Sequence, residues 1–122
     1  MREAEKILEQ MVSARIAAMS VLWLARENEA SPSSDRAYIE RNLIGLLVGK
    51  PGPIDPPSAK WLGRFSPDER IRLSGLWNLD HLDYTYSRDF LDVFEEYTLI
   101  TIGKRSQPTG PIVPRDWYSN ER

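Results

Sequence analysis

Between Gly49 and Pro57 the chain carries four prolines and two glycines in nine residues. No regular element crosses such a stretch, because proline lacks the backbone N–H and fixes φ, while glycine holds no preferred conformation. Whatever forms before Gly49 ends there, and whatever follows Pro57 starts afresh. The 122 residues are one domain by length and long enough to bury a core. They are nevertheless built from short pieces.

Upstream of the breaker, Ser34 is a natural N-cap, and Asp35 in the next turn suits the helix dipole. The spacing predicts a helix from about Asp35 to Val48 with Ile39, Leu43, Leu46 and Leu47 inward. Downstream, Ser66-Pro67-Asp68-Glu69 has the form of a capping box and predicts a helix from Pro67 to about Ser74-Gly75. A further helix is expected over about 88–96, with Phe90, Leu91, Val93 and Phe94 apolar. Residues 3–14 carry Ile7, Leu8, Met11 and Val12 as an apolar stripe on a charged helix. Met19 to Ala25 is continuously apolar and reads as a buried strand, with a helical continuation left open. Tyr97 to Ile102 reads as a second strand. The expected fold class is therefore α+β: a small single domain over 1–105, four short helices with a small, incomplete antiparallel sheet. Residues 106–122 form a proline-containing tail, either wrapped on the surface through Ile112, Val113, Trp117 and Tyr118 or partly disordered.

The chain has no cysteine, which excludes a disulfide framework and thiolate metal sites and fits a reducing, cytoplasmic setting. The apolar run from Ile16 to Ala25 falls well short of the ~20 residues of a membrane span. The acidic start, Met1 to Glu5, is unlike a signal peptide. A net charge of −2 means that nucleic-acid binding would need a local basic patch.

Arg36 and Glu40 stand four residues apart on the second helix, with Arg41 beside them. Such a pair is either a solvated ion pair of about 0.3–0.5 kcal/mol or the carboxylate and guanidinium of phosphodiester chemistry, one holding a divalent metal and the other phosphate. The stiff loop returns a second acid, Asp55, which is either a turn cap or a partner for Glu40. Arg64, with Lys60, lies where it can meet a phosphate backbone. Asn78 and the sole histidine, His81, sit in a polar turn with Asp80 and Asp83, as loop residues or as ligands. No phosphate-binding glycine loop, nucleophile elbow or Cys–His pair is present.

The pattern Arg36-x-x-x-Glu40-x-x-Leu43-Ile44, a lysine-proline turn, then Ile54-Asp55-Pro56-Pro57-Ser58, Trp61-Leu62-Gly63 and Ser74-Gly75-Leu76-Trp77-Asn78 resembles the C-terminal half of a GIY-YIG nuclease domain, over about Val21 to Asn78. The resemblance implies an antiparallel sheet packed on helices, DNA as a partner, and Mg²⁺ held by Glu40. Asp55 stands where the family has asparagine, and in a nuclease-related domain the neighbouring Arg36, Arg41 and Arg64 would be the phosphate contacts. No Gly-Ile-Tyr or Tyr-Ile-Gly occurs in the chain, and the family's first-helix arginine finds only Arg2 or Arg15 as counterparts. The resemblance thus implies a domain without its first hairpin, catalytically incomplete alone. It would be open to a protein partner or to a homodimer across the open sheet edge. A second reading comes from the aromatic residues and the acidic 80–96 stretch: a small acidic interaction protein of the immunity or antitoxin kind, with no enzymatic activity.

Overall fold

A computed structural model describes residues 3–26, 29, 31, 34–110 and 112–114. Its regular elements are α1 (Glu3–Ala17), α2 (Asp35–Val48), a 3-10 turn (Leu62–Phe65), α3 (Glu69–Ser74) and α4 (Asp89–Thr101). The core lies where α2 meets α4. Tyr38 and Ile39 come from α2, Phe90, Val93, Tyr97 and Ile100 from α4, and Val113 closes the cluster from the C-terminal segment.

The expected α+β class is wrong, because no strand and no sheet form among the described residues. Residues 97–102 complete α4 up to Thr101 instead of starting a strand. Phe90, Val93, Tyr97 and Ile100 follow one another at helical spacing, so a continued helix buries all four on one face. That burial outweighs the β preference of the individual residues. Residues 20–26 form no regular element. Side chains meet the backbone of Ala25 in place of a ladder: its N–H donates to Thr101 Oγ1 at 2.9 Å, and its carbonyl accepts from Gln107 Nε2 at 3.2 Å. Only Leu24 of the expected strand packs on the core, while Val21, Leu22 and Trp23 face solvent. The described residues therefore offer no open sheet edge for a homodimer.

α2 begins and ends as its caps dictate, with Ser34 Oγ accepting from the Ala37 N–H. Its buried face is rotated from the expected leucine stripe, however. Tyr38, Ile39, Asn42 and Gly45 are buried, Leu43 and Leu46 only pack alongside, and Leu47 is exposed. The cause is the 84–87 segment, which lies against Asn42 and Gly45. Asn42 Oδ1 accepts from the Ser87 N–H at 2.8 Å, and its amide donates to the Tyr38 carbonyl at 2.9 Å. A Cβ on Gly45 would stand 2.7 Å from the Tyr84 carbonyl oxygen. Gly45→Ala should therefore push this backbone off α2 and lower stability by about 1–3 kcal/mol in a urea titration. A neutral result would mean that the segment is not seated there.

α3 starts two residues later than the capping box predicts. Asp68 is the actual cap, accepting from the Arg70 N–H, and Arg70 Nη2 bonds the same carboxylate at 2.7 Å. The Arg70 guanidinium holds the Asp68 carboxyl below its ordinary range. Gly75 closes the helix in the left-handed region at φ 73°, as the Ser74-Gly75 signal implies. Trp61 and Trp77 meet edge-on at 5.7 Å beside α3.

α1 is a regular helix with no buried residue, so the expected amphipathic pattern is present but faces water. In the tail, Val113 is buried and Ile112 packs on the core, while Trp117 and Tyr118 lie outside the described residues.

Candidate functional site

Arg36, Glu40 and Arg41 project from the first turns of α2, whose orientation is set by a buried ion pair at its start. The Asp35 carboxylate is 2 % exposed and receives Arg26 Nε at 2.8 Å and the Tyr97 hydroxyl at 2.6 Å. Arg26 also stands over the Tyr97 ring, 5.8 Å from its centroid. Its carbonyl accepts from Arg36 Nη2 at 3.0 Å. The expected Arg36–Glu40 ion pair is thus absent. Arg36 is drawn along the backbone of residue 26, and among the described residues the exposed Glu40 carboxylate forms no ion pair or hydrogen bond.

Facing this helix is the 80–83 turn. It is carried by the 84–87 segment, which Asn42 and Gly45 hold against α2. Asn78 Nδ2 donates to the Asp80 carbonyl, the Tyr84 N–H to the His81 carbonyl, and Lys50 Nζ to the Asp83 carbonyl. His81 itself takes φ 62°, a conformation rare for a side chain with a Cβ and common at functional turns. The result is an open groove of about 460 Å³ lined by Arg36, Glu40, Arg41 and His81 together with Ser31, Ser34 and Ala37. Burial pushes the Tyr84 phenol up, and the nearby Arg41 cation opposes that rise.

Three of the sequence-derived candidates fall elsewhere. Arg64 is spent on its own loop, donating to the Pro57 carbonyl at 2.8 Å and the Ser58 carbonyl at 3.0 Å. Asp55 lines a separate cavity with Pro57, Trp61 and Leu76. Asn78 ties the His81 turn without lining the groove. Arg15 lies exposed on α1, and Arg2 lies outside the described residues. Arg26, Asp35 and Tyr84 are the side chains that sequence reasoning passed over. Of these, only Asp35 was marked by the sequence, as the acid that suits the dipole in the first turn of α2.

A family model described as the GIY-YIG domain matches residues 1–102. The chain belongs to the GIY-YIG domain family. The match extends on both sides of the Val21–Asn78 stretch that carried the resemblance and takes in α1 and α4. This GIY-YIG domain is a nuclease-related unit. No curated protein and no solved structure matches the chain. No helix among the described residues is long and apolar enough to cross a membrane.

No cluster of three or more His, Cys, Asp or Glu side chains forms among the described residues. The groove offers one carboxylate, one imidazole and two guanidiniums.

Proposed function

We propose that the groove between α2 and the His81 turn is the phosphodiester-binding site of a nuclease-related domain that contacts DNA. The observation carrying this reading is that Arg36, Glu40, Arg41 and His81, drawn from two distant parts of the chain, line one cavity. Arg36 and Arg41 place positive charge where a phosphate would lie. Mg²⁺ keeps several of its waters and is commonly held by one or two carboxylates together with substrate phosphates. A lone Glu40 in an open groove suits that mode. Two flanking guanidiniums disfavour a cation without its phosphate, so metal and nucleic acid should bind together. When bound, Mg²⁺ would polarise the phosphoryl oxygen and stabilise the charge that develops there. His81, across from Glu40, is the natural proton acceptor for the attacking water. Arg64 has no part in this arrangement.

The test is a plasmid nicking and binding assay with Mg²⁺ on the wild type, Glu40→Ala and Arg41→Ala, with circular dichroism on each. Glu40→Ala should lose Mg²⁺-dependent nicking by on the order of a hundredfold or more while keeping its helix content. Arg41→Ala should retain folding, weaken DNA binding, and lower the salt slope by about one. If the folded wild type neither binds nor nicks DNA, the reading fails. The interaction-protein alternative, which the exposed apolar face of α1 favours, then takes its place.

A further inference from the structure

We infer that two copies of this chain pair by exchanging α1, each laying its helix into an apolar groove on the other. The groove, about 450 Å³, runs between residues 21–24 and the Phe94, Thr98, Thr101 and Ile102 flank of α4. This flank is adjacent to the core face of α4, so the groove is an extension of the core that no other described residue covers. Leu22 is 99 % exposed at its edge. The same chain supplies a matching surface. α1 presents Ile7, Leu8, Met11, Val12 and Ile16 to water, each roughly half or more exposed. An isolated helix of 15 residues is marginal in water. α1 therefore needs a partner to persist, and the described residues hold an open apolar trough of the required kind.

The short connector favours a second copy over closure within one chain. α1 ends at Ala17, and the wall of the groove begins at Val21. To fill its own groove, the helix would have to reverse within three residues across the segment that forms the wall. Short hinges of this kind favour exchange between copies. Exchange is reciprocal and closes as a symmetric pair, leaving no open surface for further growth. Burying an aliphatic side chain removes about 60–120 Å² of apolar surface. With the exposures here, two α1 stripes and two groove walls would bury roughly 800–1,600 Å² of it. About 60 % of such an interface is apolar, so the total of roughly 1,300–2,700 Å² spans the range from standard stable complexes to obligate homodimers. Charge agrees as well. The acidic first half of α1, with Glu3, Glu5 and Glu9, is matched by Lys104, which follows the groove wall at Ile102, while Arg105 is already paired with Glu96 at 3.3 Å.

Sedimentation equilibrium on the full chain tests the inference. The wild type should be a dimer at micromolar concentration. One variant spoils the helix (Leu8→Asp with Met11→Asp) and another spoils the groove (Thr98→Glu with Ile102→Glu). All four positions are exposed, and dichroism checks that both variants fold. Each variant alone should dimerise at least tenfold more weakly. Their equimolar mixture should regain a heterodimer, since one intact helix then meets one intact groove. A monomeric wild type overturns the inference. So does a groove variant that still dimerises, which would point to α1–α1 pairing. So does a mixture that stays monomeric, because an intact helix would then have failed to seat in an intact groove.

Discussion

Asp35→Ala is expected to destabilise the domain by about 3–5 kcal/mol, because it removes one partner of a buried ion pair and strands the other. Arg26 would keep its charge in a site where its side chain is only 11 % exposed. The Tyr97 hydroxyl would lose its 2.6 Å acceptor as well. Small domains hold about 5–15 kcal/mol in total, so the change should lower the melting temperature by on the order of 10–20 °C. Removing both charges is the informative control. Arg26→Met with Asp35→Leu leaves no stranded ion and should recover most of the loss, as apolar replacement of buried pairs often does. Urea titration of the two single variants and the double variant gives the coupling directly. A loss below about 1 kcal/mol in Asp35→Ala would show that the pair does not anchor α2.

The same pair explains what the sequence disclosed about the site and what it withheld. Ser34 and Asp35 announce the start of α2 because capping is local, and the Gly49–Pro53 breaker announces its end for the same reason. From those ends, the i, i+4 rule puts Arg36 beside Glu40. The neighbours that change their roles are not local. Arg26 takes Arg36 away from Glu40 through a carbonyl ten residues upstream. His81 reaches the groove only because Asn42 and Gly45 accept the 84–87 backbone, a contact over forty residues. Neither Asn42 nor Gly45 looks unusual in a helix read one residue at a time. Arg64 fails as a phosphate ligand for the opposite reason: the Pro57-Ser58 turn it stabilises is next to it and presents two carbonyls within its reach.

The choice between strand and helix shows the same division. Apolar runs of six or seven residues, such as 19–25 and 97–102, have no period that separates the two. The outcome depends on what each run meets. Residues 97–101 meet α2 and continue the helix already begun at Asp89, whereas the Ala25 backbone in 20–26 is met by side chains and forms no regular element. A sheet needs a second run with free backbone groups, and α4 consumes its own. Once α4 is extended, nothing among the described residues remains to pair with the first run.

That extension gives Phe90 its weight. Phe90→Ala should cost about 3–5 kcal/mol, as expected for a large-to-small change at a site that cannot collapse. The ring is fully buried, 6.2 Å edge-on from Tyr38 and 5.4 Å from Phe94, so it joins α2 to α4 and to the apolar groove that Phe94 lines. Rings in such arrangements contribute about 0.5–1.5 kcal/mol beyond their buried area. Phe90→Leu, which keeps most of the volume, should therefore cost clearly less than Phe90→Ala. Because Tyr38 lies two residues from Glu40 on α2, loss of its ring partner should loosen the groove before the domain unfolds. Hydrogen exchange at the α2 amides should then rise in Phe90→Leu at temperatures where dichroism still reports a folded protein. Equal stability of the Leu and Ala variants, or exchange unchanged along α2, would mean that the two helices do not depend on this contact.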